Sequence, residues 1–255
     1  MKEEYLKLND GSRMPRLGMG TWYLGENKAA RKQEIEALRA GIHAGCSLID
    51  TAEMYGSGKS EQLIGEAIKG IDRSSLFIVS KVYPHNAGRA HIFDALDRSL
   101  RNLRTDYLDL YLLHWRGQVP LRETVECMEQ LVKEGKIRRW GVSNFDTDDM
   151  EELFSVKNGD HCAVNQVLYH LGSRGVEYDL MPWLEEHHVP LMAYCPLAQG
   201  GDLRRGLLNN KAVQMVAEHV LENYQAAEIK LTEEEYRILD RAFPAPDHKV
   251  WLDIV

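Results

Sequence analysis

The sequence lacks the marks of several protein classes. Its four cysteines, Cys46, Cys127, Cys162 and Cys195, are widely spaced and form no CxxC pair. That argues against a disulfide framework and for reduced thiols in a reducing compartment. No metal site is expected. No apolar stretch is long enough to cross a bilayer, and the polar start MKEEYLKLNDG carries no apolar signal core. No basic tract of five or more stands out against a net charge of −8, from 31 basic and 39 acidic side chains. Nucleic acid and anionic membranes are therefore not expected as partners. Together these absences point to a soluble, cytoplasmic, globular protein.

What is present is a regular alternation. The 255 residues, 44% of them hydrophobic, suffice for a full core. Asn9-Asp10-Gly11 between two short alternating runs signals a hairpin. Apolar runs rich in β-formers then recur: GMGTW (18–22), LIDTA (48–52), LFIVSKV (76–82), LDLYLLH (108–114), IRRWGVSN (137–144), CAVNQVLY (162–169) and PLMAYCP (190–196). Between them, residues 32–45, 59–70, 90–104, 121–136, 147–157 and 179–188 carry apolar side chains at spacings of three and four, as amphipathic helices do. Serial strand–helix units imply a parallel sheet. An open dinucleotide-binding sheet wants G-x-G-x-x-G after its first strand. Gly18-Met19-Gly20 and Gly56-Ser57-Gly58 both fall short of that pattern. Seven units without a linker favour a single domain over 1–255, a (β/α)8 barrel of the TIM type whose active residues sit at the C-terminal ends of the strands.

Titratable residues fall at those ends. Asp50 is late in one strand, Tyr55 lies in the loop after it, Lys81 is near the end of the next strand, and His114 closes the one after. A free Tyr, with a pKa of about 10, donates poorly at neutral pH. A neighbouring Lys⁺ favours the phenolate, a carboxylate steadies the Lys, and a neutral His can donate to a carbonyl oxygen. Singly, each residue has a plain structural alternative: an Asp–Lys pair is often only an ion pair, and a His beside Trp115 is often core. Their joint placement at three successive strand ends favours proton transfer to a carbonyl.

The segments LIDTAEMYG, IVSKVYP, YLDLYLLHW, KIRRWGVSNF, VNQVLYH and MAYCPLAQGG resemble the aldo-keto reductases, in order from about Gly18 to Gly206. The likeness is closest to short bacterial methylglyoxal-reductase-like members. It implies a (β/α)8 barrel and reduction of small aldehydes and ketones, such as α-dicarbonyls, by direct hydride transfer from NADPH or NADH. It also implies a tetrad of Asp50, Tyr55, Lys81 and His114, and a monomer. Position by position, Ser143, Asn144 and Gln166 match the holders of the nicotinamide carboxamide, and Tyr194 matches the aromatic stacked on its ring. Gly20, Thr21 and Trp22 match the first-strand rim. Leu197 and Gln199 match the loop over the pyrophosphate, and Glu222 and Asn223 match residues near the adenine. Trp22, Tyr83 and Trp115, with Tyr55 and His114, match the substrate pocket. Ordinary packing of those three aromatics, and an N-cap role for Asn144, remain open.

The resemblance breaks after Glu218. KAVQMVAE runs straight into HVLENYQAAEIKLTEEEYRILDRAFPAP, the family's last helix, and about one strand–helix unit, roughly 30 residues, has no counterpart. No eighth strand is found between Val220 and Thr232, and the lost stretch is the one that grips the 2′-phosphate in NADP-using relatives. Three explanations stand: a further segment between Glu218 and His219, a deletion variant that closes differently, or a damaged, weakly functional chain. The first is favoured, since residues on both sides stay family-like and mobile cofactor loops are common. A rival to the enzyme is a non-catalytic nucleotide-binding barrel. His187-His188 reads as a solvated helix end, and Trp251 in the short tail either reaches over the pocket or packs on the barrel side.

Overall fold

A computed structural model describes residues 5–198, 206–221 and 231–254, with only the backbone for 218–221. The chain divides into two compact units, Glu4–Asn165 and a second one dominated by Gln166–Val255.

The first unit opens with a hairpin. β1 (Tyr5–Lys7) pairs antiparallel with β2 (Arg13–Pro15). Gly11 turns it at φ 81°, and the Asp10 carboxylate accepts from the Ser12 N–H at 2.8 Å. Five strand–helix units follow: β3 (Gly18–Gly20) and α1 (Arg31–His43), β4 (Leu48–Asp50) and α2 (Lys59–Ala67), β5 (Phe77–Val82) and α3 (Ile92–Leu103), β6 (Leu110–Leu113) and α4 (Leu121–Lys133), β7 (Trp140–Ser143) and α5 (Thr147–Ser155). Neighbouring strands from β3 to β7 lie side by side in chain order, all parallel. The register sets Gly20 opposite Asp50, Asp50 opposite Val79 and Lys81 opposite Leu112. Parallel strands covered on both faces read as continuous apolar runs, and all six residues of β5 are buried. In α3 the buried set is Ile92, Ala95, Leu96, Ser99, Leu100 and Leu103, the three-and-four spacing that lays one stripe on a sheet.

In the second unit, β8 (Asn165–Leu168) and β9 (Leu191–Tyr194) are sheet neighbours. α6 (Leu180–Glu186) lies between them in sequence, and α7 (Lys211–Leu221) and α8 (Glu233–Ala242) follow. Arg174 organises the unit. Its guanidinium grips Glu177 at 2.6 and 2.7 Å, bonds Asp240 on α8 at 2.7 Å, and donates to the Phe243 carbonyl. The tail is tied back by Asp253 to the Ser173 hydroxyl at 2.7 Å and by Lys249 to Asp179 at 3.5 Å. Trp251 between those anchors is 84% exposed, so its ring is not packed against the barrel side.

Among the described residues, seven strand–helix units in series make this an α/β chain of the (β/α)8 class. The further segment expected between Glu218 and His219 would fall within the span of α7. Gln199, Glu222 and Asn223, and most of the stretch searched for an eighth strand, lie outside the described residues.

Candidate active site

The C-terminal ends of β4, β5 and β6 bring four polar side chains together. Asp50 ends β4, Lys81 is the penultimate residue of β5, and His114 follows β6 directly. Tyr55 opens a short 3-10 turn, Tyr55–Gly58, in which Gly56, Ser57 and Gly58 all take positive φ. Gly58 is needed there for its φ of 86°, a left-handed conformation that strains other side chains. That tight reversal turns the chain directly from Tyr55 into α2.

Lys81 is the hub. Its side chain is 1% exposed, and an ammonium has three protons to place. They go to Asp50 Oδ1 at 2.7 Å, the Thr51 carbonyl at 2.8 Å and Tyr55 Oη at 3.3 Å. Burial alone pushes Lys81 down, but Asp50 and Tyr55 outweigh it and hold the group above the ordinary lysine range. It stays a cation against the phenol oxygen. With Lys81 donating to Oη, the phenol's own proton is directed away from the ammonium.

His114 completes the group. Its ring meets the Tyr55 ring edge-on at 5.8 Å. Burial, helped by the Lys81 charge, pushes the imidazole down to about 3, so it is neutral at working pH. Its Nδ1 is buried and has no hydrogen-bond partner. Half-buried aromatic rings flank the four. Trp22 lies 6.4 Å from Tyr55, Trp115 lies 4.8 Å from His114, and Tyr83 meets Trp115 edge-on at 5.0 Å.

Other expected residues divide into three groups. Thr21 is fully buried, and its hydroxyl donates to the Asp50 carbonyl at 2.9 Å and accepts from Ser60 at 2.8 Å. Its side chain therefore braces the C-terminal end of β4. Gly20 is exposed on the rim beside it. Ser143 and Asn144 are buried at the end of β7. Asn144 sits at φ 58° and donates to the His114 carbonyl at 3.1 Å. It does not cap α5: Asp146 does, in a capping box with Asp149. In the second unit, Gln166 on β8 is buried with its amide 3.2 Å from Met192 Sδ, Tyr194 ends β9 half-buried, and Leu197 is 82% exposed.

Sequence reasoning missed Glu53. It lies between Asp50 and Tyr55, and its carboxylate accepts from the Tyr83 N–H at 2.6 Å. Only its place inside the DTAEMYG segment could have drawn notice.

Residues 16–242 match the model of the aldo/keto reductase family. The methylglyoxal reductase YeaE of Escherichia coli (strain K12) is 47% identical over 285 aligned positions that cover all of both chains. Those 285 positions exceed the 255 residues here by 30, about one strand–helix unit. An aldo/keto reductase of Klebsiella pneumoniae, crystallised with NADP and acetate, is 49% identical with a TM-score of 0.92 over 99% of this chain and 100% of that one. A Klebsiella pneumoniae aldo-keto reductase in complex with NADPH gives the same identity and score over 100% of both chains.

Proposed function

This chain belongs to the aldo/keto reductase family, and on that premise we propose that it reduces small aldehydes and ketones, methylglyoxal-like α-dicarbonyls among them, with NADPH as reductant and Tyr55 as proton donor. The observation that carries this is the buried Lys81 ammonium, with one of its three protons on Tyr55 Oη and one on Asp50. A cation at that distance stabilises the phenolate that remains after the proton leaves. Asp50 and the Thr51 carbonyl hold the cation in place. Neutral His114 orients the carbonyl oxygen by donating a hydrogen bond, which an imidazolium would do at the cost of a second buried charge. The carbonyl oxygen takes its proton from Tyr55. A nicotinamide cofactor, when bound, would supply the hydride that the carbonyl carbon takes. The rings of Trp22, Tyr83 and Trp115 form an apolar wall that limits water at the reacting centre.

The donor set fits the nicotinamide end of such a cofactor. A primary carboxamide both donates and accepts, and the Ser143 hydroxyl with the Asn144 amide offers both kinds of group. By the family resemblance, Gln166 would join them in holding the carboxamide, and Tyr194 would stack on the ring. NADH serves in second place. Gln199, Glu222 and Asn223 would attend the phosphates and adenine. One specific observation favours a second outcome, an impaired catalyst: the 30 aligned positions at which this chain has no residue opposite its relative. The four cysteines are free thiols, in keeping with a reducing compartment.

The test is NADPH oxidation on methylglyoxal, with tryptophan fluorescence following cofactor binding. Tyr55→Phe is expected to lose turnover by about 10²- to 10⁴-fold and to bind NADPH like the wild type. Turnover unchanged in that variant removes Tyr55 from its role. A wild type that neither quenches with NADPH nor oxidises it is a non-catalytic barrel.

A further inference from the structure

Glu53 transfers no proton in this scheme, yet it is bonded at both ends to the strand exit that carries Lys81. Its backbone N–H donates to the Lys81 carbonyl at 3.3 Å. Its carboxylate, 9% exposed, crosses to the loop after β5. There Oε1 accepts from the Tyr83 N–H at 2.6 Å and from the Asn86 amide at 3.1 Å. Oε2 pairs with Arg98 of α3 at 3.2 Å. An ionised acceptor on a backbone amide makes a short, strong bond, and both carboxylate oxygens are engaged.

The bond matters because of what Tyr83 touches. Its ring packs edge-on against Trp115 at 5.0 Å and against His85 at 3.9 Å, and Trp115 in turn lies 4.8 Å from His114. Glu53 itself stands two residues before Tyr55. A single side chain therefore joins the loop of the proton donor to the loop of the aromatic wall.

The geometry points to Glu53 as a positioning residue that fixes the Tyr83–Trp115 wall relative to the Tyr55 hydroxyl, and through that wall makes the site favour compact α-dicarbonyls over bulky aromatic aldehydes. This rests on the proposed reductase activity. Releasing the wall loosens the grip on a small substrate and relieves the exclusion of a large one. The proton-transfer group, held by Lys81, keeps its geometry.

The experiment compares methylglyoxal and benzaldehyde kinetics in the wild type, Glu53→Ala, Glu53→Gln, Tyr83→Ala and the Glu53→Ala/Tyr83→Ala double variant. Alongside, it measures amide exchange of Tyr83 without substrate or cofactor. Glu53→Ala is expected to raise KM for methylglyoxal about tenfold, the loss of one charge-assisted hydrogen bond, with kcat changed less than about twofold. KM for benzaldehyde is expected not to rise. The Tyr83 amide exchanges about tenfold faster. Glu53→Gln keeps an oxygen acceptor and recovers most of both effects. In the Tyr83→Ala background, adding Glu53→Ala shifts nothing further. Should Glu53→Ala not fold, Glu53→Met keeps the bulk, removes the acceptor and carries the same expectations. An equal loss of kcat on both substrates overturns the inference, as does an effect of Glu53→Ala that persists without Tyr83. If the wild type reduces neither substrate, the proposed function falls, and unchanged Tyr83 exchange in Glu53→Ala would separately dismiss the tie.

Discussion

The two units of this chain differ in how completely they enclose their side chains. In Glu4–Asn165, β4 to β7 are almost wholly buried, and every proton of the central ammonium has an acceptor. In Gln166–Val255, β9 has no fully buried residue, and Leu197, Leu208, Met215, Tyr236, Trp251 and Ile254 are all exposed. The phosphate side of such barrels lies in the loops after strands 7 and 8. The difference teaches where the packing is concentrated: the groups proposed to handle the proton sit together in the well-packed unit, and the expected cofactor contacts Gln166, Tyr194, Leu197, Gln199, Glu222 and Asn223 belong to the other.

The sharpest way to break that contrast is at its hub. Lys81→Met breaks the largely buried Lys81–Asp50 ion pair by removing one partner, which costs about 3–5 kcal/mol and abolishes turnover. Urea melts and an activity assay check both. Leu96→Ala empties a fully buried site in α3 and is expected to lower stability by about 2–5 kcal/mol. Met215→Ala, at an exposed position of α7, should move it by less than about 0.5 kcal/mol. Equal losses would contradict the comparison. The pH dependence comes next. His114 is held to about 3 in the folded chain, below its usual value of about 6.5. The unfolded chain therefore takes up the proton first. Stability is full above about pH 6.5 and falls as pH drops toward about 3, with a shallower slope in His114→Asn. The smallest effects belong to the two capping boxes, Asp146 with Asp149 and Thr232 with Glu235. Each Ala replacement of the cap costs about 1 kcal/mol of its own helix. Asp146→Ala should appear in the global melt, and Thr232→Ala chiefly in amide exchange of α8.

Much of this was legible in the sequence, for identifiable reasons. Strands covered on both faces announce themselves as apolar runs, so β5 was read as 76–82 and found as Phe77–Val82. Turn chemistry marked the hairpin at Asn9-Asp10-Gly11. Asp50, Tyr55, Lys81 and His114 are ordinary residues one by one; only their recurrence at successive strand ends, and the segments around them, made a site of them. What stayed hidden depends on contacts between distant positions. Thr21 bracing Asp50, Ser60 bracing Thr21, and Glu53 reaching Tyr83 leave no trace in spacing. Asn144 looked able to cap α5 because Asn is a good cap. Asp146 does so because it stands next to the helix with a partner three residues on.

The most direct test joins the two properties in one preparation: the NADPH dissociation constant from tryptophan quenching, and the single-turnover rate of methylglyoxal reduction at saturating NADPH. The proposed proton-transfer site, with the expected cofactor contacts in the less enclosed unit, predicts a fast chemical step, lost in Tyr55→Phe, beside weak NADPH binding. Tight NADPH binding with no reduction of methylglyoxal would contradict it.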